Sequence, residues 1–250
     1  MASSKQYQIP YARTDESDIY PELDGEPLAE TERHLREIFR MLDILGTHFA
    51  EIPDVYVWSN MMMYYEKGNP RAFVKPDIFV SFGIGKQERR IYKVWEEGKP
   101  PDFIMEFASR STYNNDLGGK KEIYAAMGVT EYFLYDPFRC CLPAPLMGFR
   151  LFDGDYVEIL PLANGGVPSE TLNLEFLLQD DGIGVYTTMA GGQLKTRAEQ
   201  EADARHQEVI ARQNAEARAQ REAEARRDAE AELAELREKL KRLEAKSTNS

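Results

Sequence analysis

The stretch from Val74 to Pro137 decides how this chain is read. It contains VKPDIFVSFG (74–83), DFIMEFASRST (102–112), DLGGKKEIYAAMGV (116–129) and EYFLYDP (131–137). DFIMEFAS is apolar on both faces and is bounded by the Pro100-Pro101 pair and the SRST cluster, which suits a central strand in a sheet covered on both sides. The following helix is expected to start near Asn115 or Asp116, both good N-caps, and to stop at Gly128. EYFLYDP then closes a strand–helix–strand unit, so the two strands are expected to run parallel.

Inside this stretch three charged groups stand where aliphatic residues would be ordinary. Asp77 and Glu106 each interrupt an apolar run. On the intervening helix Leu117, Ile123, Tyr124 and Met127 set the apolar face, and Lys120 points from its middle while Lys121 lies at its margin. Two carboxylates about 4 Å apart repel by roughly 4 kcal/mol at an effective dielectric of 20, so such a pair shares a proton or binds a cation. Oxygen ligands favour a hard ion, Mg²⁺ or Mn²⁺. With a lysine beside it, that arrangement suits phosphodiester hydrolysis, the ammonium orienting the nucleophile or offsetting transition-state charge. Ser109, Arg110 and Thr112 are candidates for phosphate contact, although such a cluster after a strand ordinarily serves as turn and cap.

Upstream, residues 1–27 are polar and turn-rich and read as an irregular arm. Leu28, Leu35, Ile38, Leu42, Leu45 and Phe49 recur at helical spacing, predicting an amphipathic helix from about Ala29 to Ala50. Glu32 and His34 fall at opposite edges of that stripe, where a solvated helix edge is the ordinary reading. DVYVW (54–58) and MMMYYE (61–66) read as two strands joined by a tight turn, and AFVKPDIFVSFG as a third strand with Pro76 at its start or at a bulge. Lys86 to Pro101 reads as a loop with a short ordered core.

Downstream, FRLFDGDYVEIL is a hairpin around Asp153-Gly154. TLNLEFLL and GIGVYTT are expected to extend the sheet at an edge. The tail from Lys195 to Lys246 lacks Pro and Gly, and Leu233, Leu236, Leu240 and Leu243 form a short heptad seam. A continuous helix here would be about 75 Å long, and either pairing with a partner helix, as in a homo-oligomer, or a solvated single helix is expected. The organisation read from these patterns is an arm (1–27), a body (28–192) and a helical tail (193–250).

Charge distribution limits the function classes. The tail from Lys195 is balanced, with 13 basic and 13 acidic residues, so the net charge of −12 belongs to residues 1–194. An acidic body argues against a protein that coats nucleic acid generally, without excluding one local cleft for phosphates. The adjacent Cys140 and Cys141 match neither an ordinary disulfide nor a CxxC zinc site, which fits a reduced cytoplasm. No apolar run approaches the roughly 20 residues of a membrane span, and MASSKQYQIP lacks a signal-peptide core.

Pro76-Asp77 followed by Glu106 on the next core strand resembles the PD-(D/E)XK nuclease superfamily. The string EFASRST, DLGGKKEIY, MGVTEYFLYDP is similar to its Uma-two family of restriction-endonuclease-like proteins, with agreement from about Asp24-Gly25-Glu26 to about Thr187. The resemblance implies a mixed central β-sheet flanked by helices (an α/β, or α+β, fold), Asp77 and Glu106 as metal ligands, and a DNA substrate. The superfamily pattern puts a lysine two residues after the glutamate, where this chain has Ala108; Lys120, four residues before Tyr124, stands in for it. A helix carboxylate often joins such sites, for which Glu32 is the candidate and Glu30 the alternative. Two readings without catalysis stand beside the nuclease: an inactive nuclease-fold scaffold acting through its tail, and a coiled-coil organiser whose body only caps the tail.

Overall fold

The computed structural model describes residues 20–21, 31–188 and 191–247. The chain divides into two compact units, Met1–Arg197 and Ala198–Ser250.

The first unit is organised on a six-stranded mixed sheet in the order β1 (Val55–Trp58), β4 (Ile78–Phe82), β6 (Phe103–Phe107), β7 (Glu131–Tyr135), β8 (Leu146–Phe152), β9 (Asp155–Ile159). Within this sheet, among the described residues, only β6 and β7 pair in parallel, as the crossover between them requires. β6 is buried along its whole length, as its two apolar faces predict. The β8–β9 hairpin turns at Asp153 and Gly154, both in the left-handed region (φ 50° and 90°).

Both faces of the sheet are covered. On one, Phe103, Met105, Phe107 and Phe133 pack against Ile38, Met41, Ile44 and Leu45 of α1 (Glu32–His48). They also meet Phe176 and Val185 of a second sheet, made of β10 (Val167–Ser169), β11 (Leu174–Gln179) and β12 (Gly182–Thr187). Those last strands therefore form a separate layer and not the expected edge extension, because Leu174, Phe176, Ile183 and Val185 need a core and find it on the sheet face. On the other face, Phe79, Ile104, Tyr132 and Leu134 pack against Tyr124 of α4 (Gly119–Met127) and Met63, Val74 and Tyr92. The last three belong to a small sheet of β3 (Phe73–Val74), β2 (Met63–Tyr64) and β5 (Tyr92–Lys93), which leads into α2 (Val94–Glu97).

Three local expectations change. The 54–58 and 61–66 segments do not pair as a hairpin: β1 joins β4 in the central sheet and β2 joins the small one. The 72–83 run is two strands, broken at Lys75-Pro76-Asp77, since Pro76 has no N–H to continue a ladder. The helix before Gly128 is also two, α3 (Tyr113–Leu117) and α4, separated at Gly118-Gly119. A Cβ on Gly118 would lie 3.1 Å from the Asn114 carbonyl oxygen and one on Gly119 2.8 Å from Asn115 Oδ1, so the tight junction needs small residues.

The second unit is the C-terminal part of α5 (Arg197–Ser247). Its described side chains are exposed and laced by i,i+4 ion pairs such as Arg212–Glu216 and Arg226–Glu230. Leu233 and Leu236 are exposed, and the side chains of Leu240 and Leu243 lie outside the described residues. So does most of the 1–27 arm; its described pair, Tyr20-Pro21, docks on the small sheet, where the Pro21 carbonyl accepts the Tyr64 hydroxyl. Among the described residues no helix is long and apolar enough to cross a membrane.

Candidate active site

The register of the central sheet brings the two strand carboxylates together. β4 pairs antiparallel with β6 so that Ile78 opposes Met105; Asp77, immediately before β4, is thereby brought to the level of Glu106. The contact is visible in the hydrogen bonds: the Asp77 backbone N–H donates to Glu106 Oε2 (3.3 Å), and Asp77 Oδ2 accepts the Phe107 N–H (2.8 Å). The Pro76 break is what frees Asp77 to turn in this way.

Lys120 approaches from α4, its Nζ 3.0 Å from Glu106 Oε2 and 3.1 Å from Asp116 Oδ1. Asp116 precedes it by four residues, across the glycine junction. Tyr124, one turn further along the same face, donates its hydroxyl to Glu106 Oε1 at 2.6 Å. Two carboxylates thus share one ammonium, with Asp77 as a third beside them, in a region where Glu106 and Asp116 are almost wholly buried. Burial pushes the Glu106 carboxyl up to about 8; Lys120 pulls it down, and Asp77 and Asp116 push it higher. Asp116 is also raised, again mainly by burial against the pull of Lys120. For Lys120 burial disfavours the charge, but the carboxylates outweigh it and hold the ammonium more tightly than usual.

His34 completes the cluster from α1. It is 4% exposed, its ring tilted against Phe107, and neither ring nitrogen has a hydrogen-bond partner among the described residues. Its Nε2 lies 3.9 Å from Asp77 Oδ2, too far for a hydrogen bond. A buried imidazole without a partner, beside an excess of carboxylate, suits an additional cation. The carboxylates of Asp77 and Glu106 are donors that fit a hard divalent ion, and the His34 imidazole is a softer nitrogen donor beside them.

Other expected site residues lie elsewhere. Glu32 is at the outer edge of α1, its side chain 90% exposed and paired to Arg36 at 3.0 Å; Glu30 lies outside the described residues. Ser109 is buried and bonded to Thr112, Oγ to Oγ1 at 2.9 Å, and its hydroxyl also accepts the Thr112 N–H, so the two cap each other at the exit of β6. Arg110 is exposed and lines a cleft of about 440 Å³ with Thr31, Phe138 and Cys140.

The residues that sequence reasoning passed over are His34 and Asp116. The buried face of α1 is His34, Glu37, Ile38, Met41, Ile44 and Leu45, turned by about 90° from the stripe drawn through Leu35, Leu42 and Phe49. Including Met41 and Ile44 would have turned the face toward His34 and away from Glu32. Asp116 carried its signal in the i,i+4 spacing to an inward lysine.

Among solved structures the chain is similar to a "putative nuclease belonging to DUF820" from Anabaena variabilis ATCC 29413, at 12% identity and a TM-score of 0.42, over 60% of this chain and 80% of that one. A comparison with curated proteins found no match. A family model described as "Putative restriction endonuclease" matches residues 5–180, which span both β4 and the β6–α4–β7 unit, and the chain therefore belongs to the Uma2 family.

Proposed function

We propose that this protein is a metal-dependent endodeoxyribonuclease of the cytoplasm that hydrolyses DNA phosphodiester bonds at the Asp77–Glu106–Lys120 cluster. The observation that carries the reading is the convergence of Asp77, Glu106 and Lys120 from two strands and a helix, with too little positive charge of their own. Asp77 and Glu106 would hold Mg²⁺ or Mn²⁺, with His34 as a further donor in the place first considered for Glu32. When bound, the ion would supply an acidified water and charge neutralisation at the phosphate. Lys120 keeps its proton against burial and presents a fixed positive charge beside the reacting phosphate. Tyr124 holds the Glu106 carboxyl through Oε1, leaving Oε2 toward Lys120 and Asp77. Arg110, in its cleft, would take a flanking phosphate, and Ser109 and Thr112 would set the loop that aims it.

The test is plasmid cleavage by purified protein with Mg²⁺ or Mn²⁺, against Asp77→Asn, Glu106→Gln and Lys120→Met. Cleavage that depends on the ion and disappears in these variants supports the proposal; cleavage unchanged in Asp77→Asn and Glu106→Gln refutes it. A catalytically inactive scaffold acting through its tail is the second reading, favoured by the length of α5. It predicts neither cleavage nor metal binding in the parent, and loss of self-association when residues after Gly192 are removed.

A further inference from the structure

A second group of ligand-bearing side chains converges in the loop after β7. The donor atoms of Asp136, Cys140 and Cys141 lie within 4.8 Å of one another. The loop is wound on the Asp136 carboxylate: Oδ2 accepts the N–H groups of Cys140, Cys141 and Leu142 at 2.8, 2.6 and 3.2 Å, and Oδ1 that of Phe138 at 3.0 Å. Burial works against the ionised carboxyl, but these donors outweigh it and hold Asp136 below its ordinary range. The tight winding places Arg139 at φ 54°, a left-handed conformation unusual for arginine.

One consequence of the winding is chemical. Neighbouring side chains in an extended segment point apart, whereas here the Cys140 and Cys141 sulfurs stand 3.0 Å from each other. Core packing does not account for it, because Cys140 is exposed and Cys141 half-exposed. Two adjacent thiols in such a position form a bidentate chelator for a soft ion. Asp136 Oδ1 receives one N–H and so keeps acceptor capacity for a third bond.

We infer that Asp136, Cys140 and Cys141 form a binding site for a thiophilic ion, a soft divalent metal or trivalent arsenic, chelated by both thiolates and completed by the Asp136 carboxylate. With a divalent metal, two sulfur–metal bonds form, two S–H bonds break and both protons pass to solvent. With arsenous acid, two sulfur–arsenic bonds replace two arsenic–hydroxyl bonds, and two waters leave. No electron changes hands in either case. Thiolate ligation displaces the thiol protons, so binding tightens as pH rises. Oxygen donors at Asp77–Glu106 and sulfur donors here would sort hard ions from soft ones within one domain. Cys140 also lines the cleft that holds Arg110, so an occupied site would stand on its wall.

The experiment is a titration of reduced, full-length protein with Cd²⁺, followed by ultraviolet sulfur-to-metal charge transfer and by proton release, with a parallel arm using arsenite. The expected result is one ion per chain. Cys140→Ser and Cys141→Ser should each weaken binding by about a hundredfold, since chelation makes the second bond intramolecular. Asp77→Asn should leave it unchanged, which separates this site from the nuclease reading. Uptake of only one of the two probes supports the site and identifies its ligand class. If either single-serine variant binds as tightly as the parent, or the parent binds neither probe, the inference is overturned.

Discussion

Replacing Glu106 by glutamine tests the electrostatics on which the candidate active site rests. Glu106 is wholly buried, and its carboxyl is pushed from the ordinary 4.5 up to about 8, first by burial. A carboxyl whose folded pKa is raised favours folding fully below its unfolded value, and that contribution is lost as pH rises toward the folded value. The window is thus from about 4.5 to about 8. At about 1.4 kcal/mol per pH unit, the metal-free protein should lose at most about 5 kcal/mol across it through this one group. Glutamine keeps the shape and cannot ionise, so Glu106→Gln should remove that slope. Asp116 and Glu37, both raised by burial, slope the same way, and His48, lowered by burial, slopes the opposite way. The quantity to follow is therefore the stability difference between parent and variant. Urea unfolding in EDTA at pH 5, 6, 7, 8 and 9 should show the parent losing ground to Glu106→Gln by several kcal/mol (about 2–5) from the acid to the alkaline end. Saturating Mg²⁺ should recover most of that loss in the parent and none in the variant. Parallel curves, or a parent that gains on the variant as pH rises, would refute the account of a carboxylate cluster short of positive charge.

Asp77→Asn keeps an oxygen for the Phe107 N–H, so the fold should persist while metal-dependent plasmid cleavage falls by at least about a hundredfold. The two α1 candidates separate cleanly: His34→Ala should lower cleavage about tenfold or more and diminish the Mg²⁺-induced rise in melting temperature, whereas Glu32→Ala should leave both unchanged. Gly148→Ala would set a Cβ 2.8 Å from Val167 Cγ1 and 2.9 Å from Phe133 Cζ in the core between the sheets, and should cost about 1–3 kcal/mol in urea unfolding. Replacing Leu233 and Leu236 together by aspartate should reduce the mass measured by light scattering to that of one chain if the tail pairs with a partner helix.

Much of this architecture is written in local pattern. Apolar runs bounded by Pro, Gly and hydroxyl residues located β6 and β7, the Asp153-Gly154 turn located a hairpin, and the phase of Leu117, Ile123, Tyr124 and Met127 turned Lys120 inward. These depend on interactions within a few residues, and the rest of the fold leaves them unaltered. What local pattern could not say is which strands meet. Nothing in 54–66 distinguishes a hairpin from two strands sent to different sheets, and nothing in 171–187 separates an edge extension from a second layer, because partner choice depends on the whole core.

The site divides along the same line. By itself the sequence determined that Asp77, Glu106 and Lys120 are charged groups embedded in apolar elements, since the spacing of their neighbours requires it. Only the tertiary structure decided that Asp77 comes level with Glu106, that Asp116 shares Lys120, and that α1 presents His34 and turns Glu32 to solvent. The physical reason is that a helix face is chosen by what it buries. α1 buries Met41 and Ile44 against β6 and its neighbours, and that choice rotates the histidine into the cluster. Convergence is a property of register and of helix rotation, and both are settled between elements and not within them.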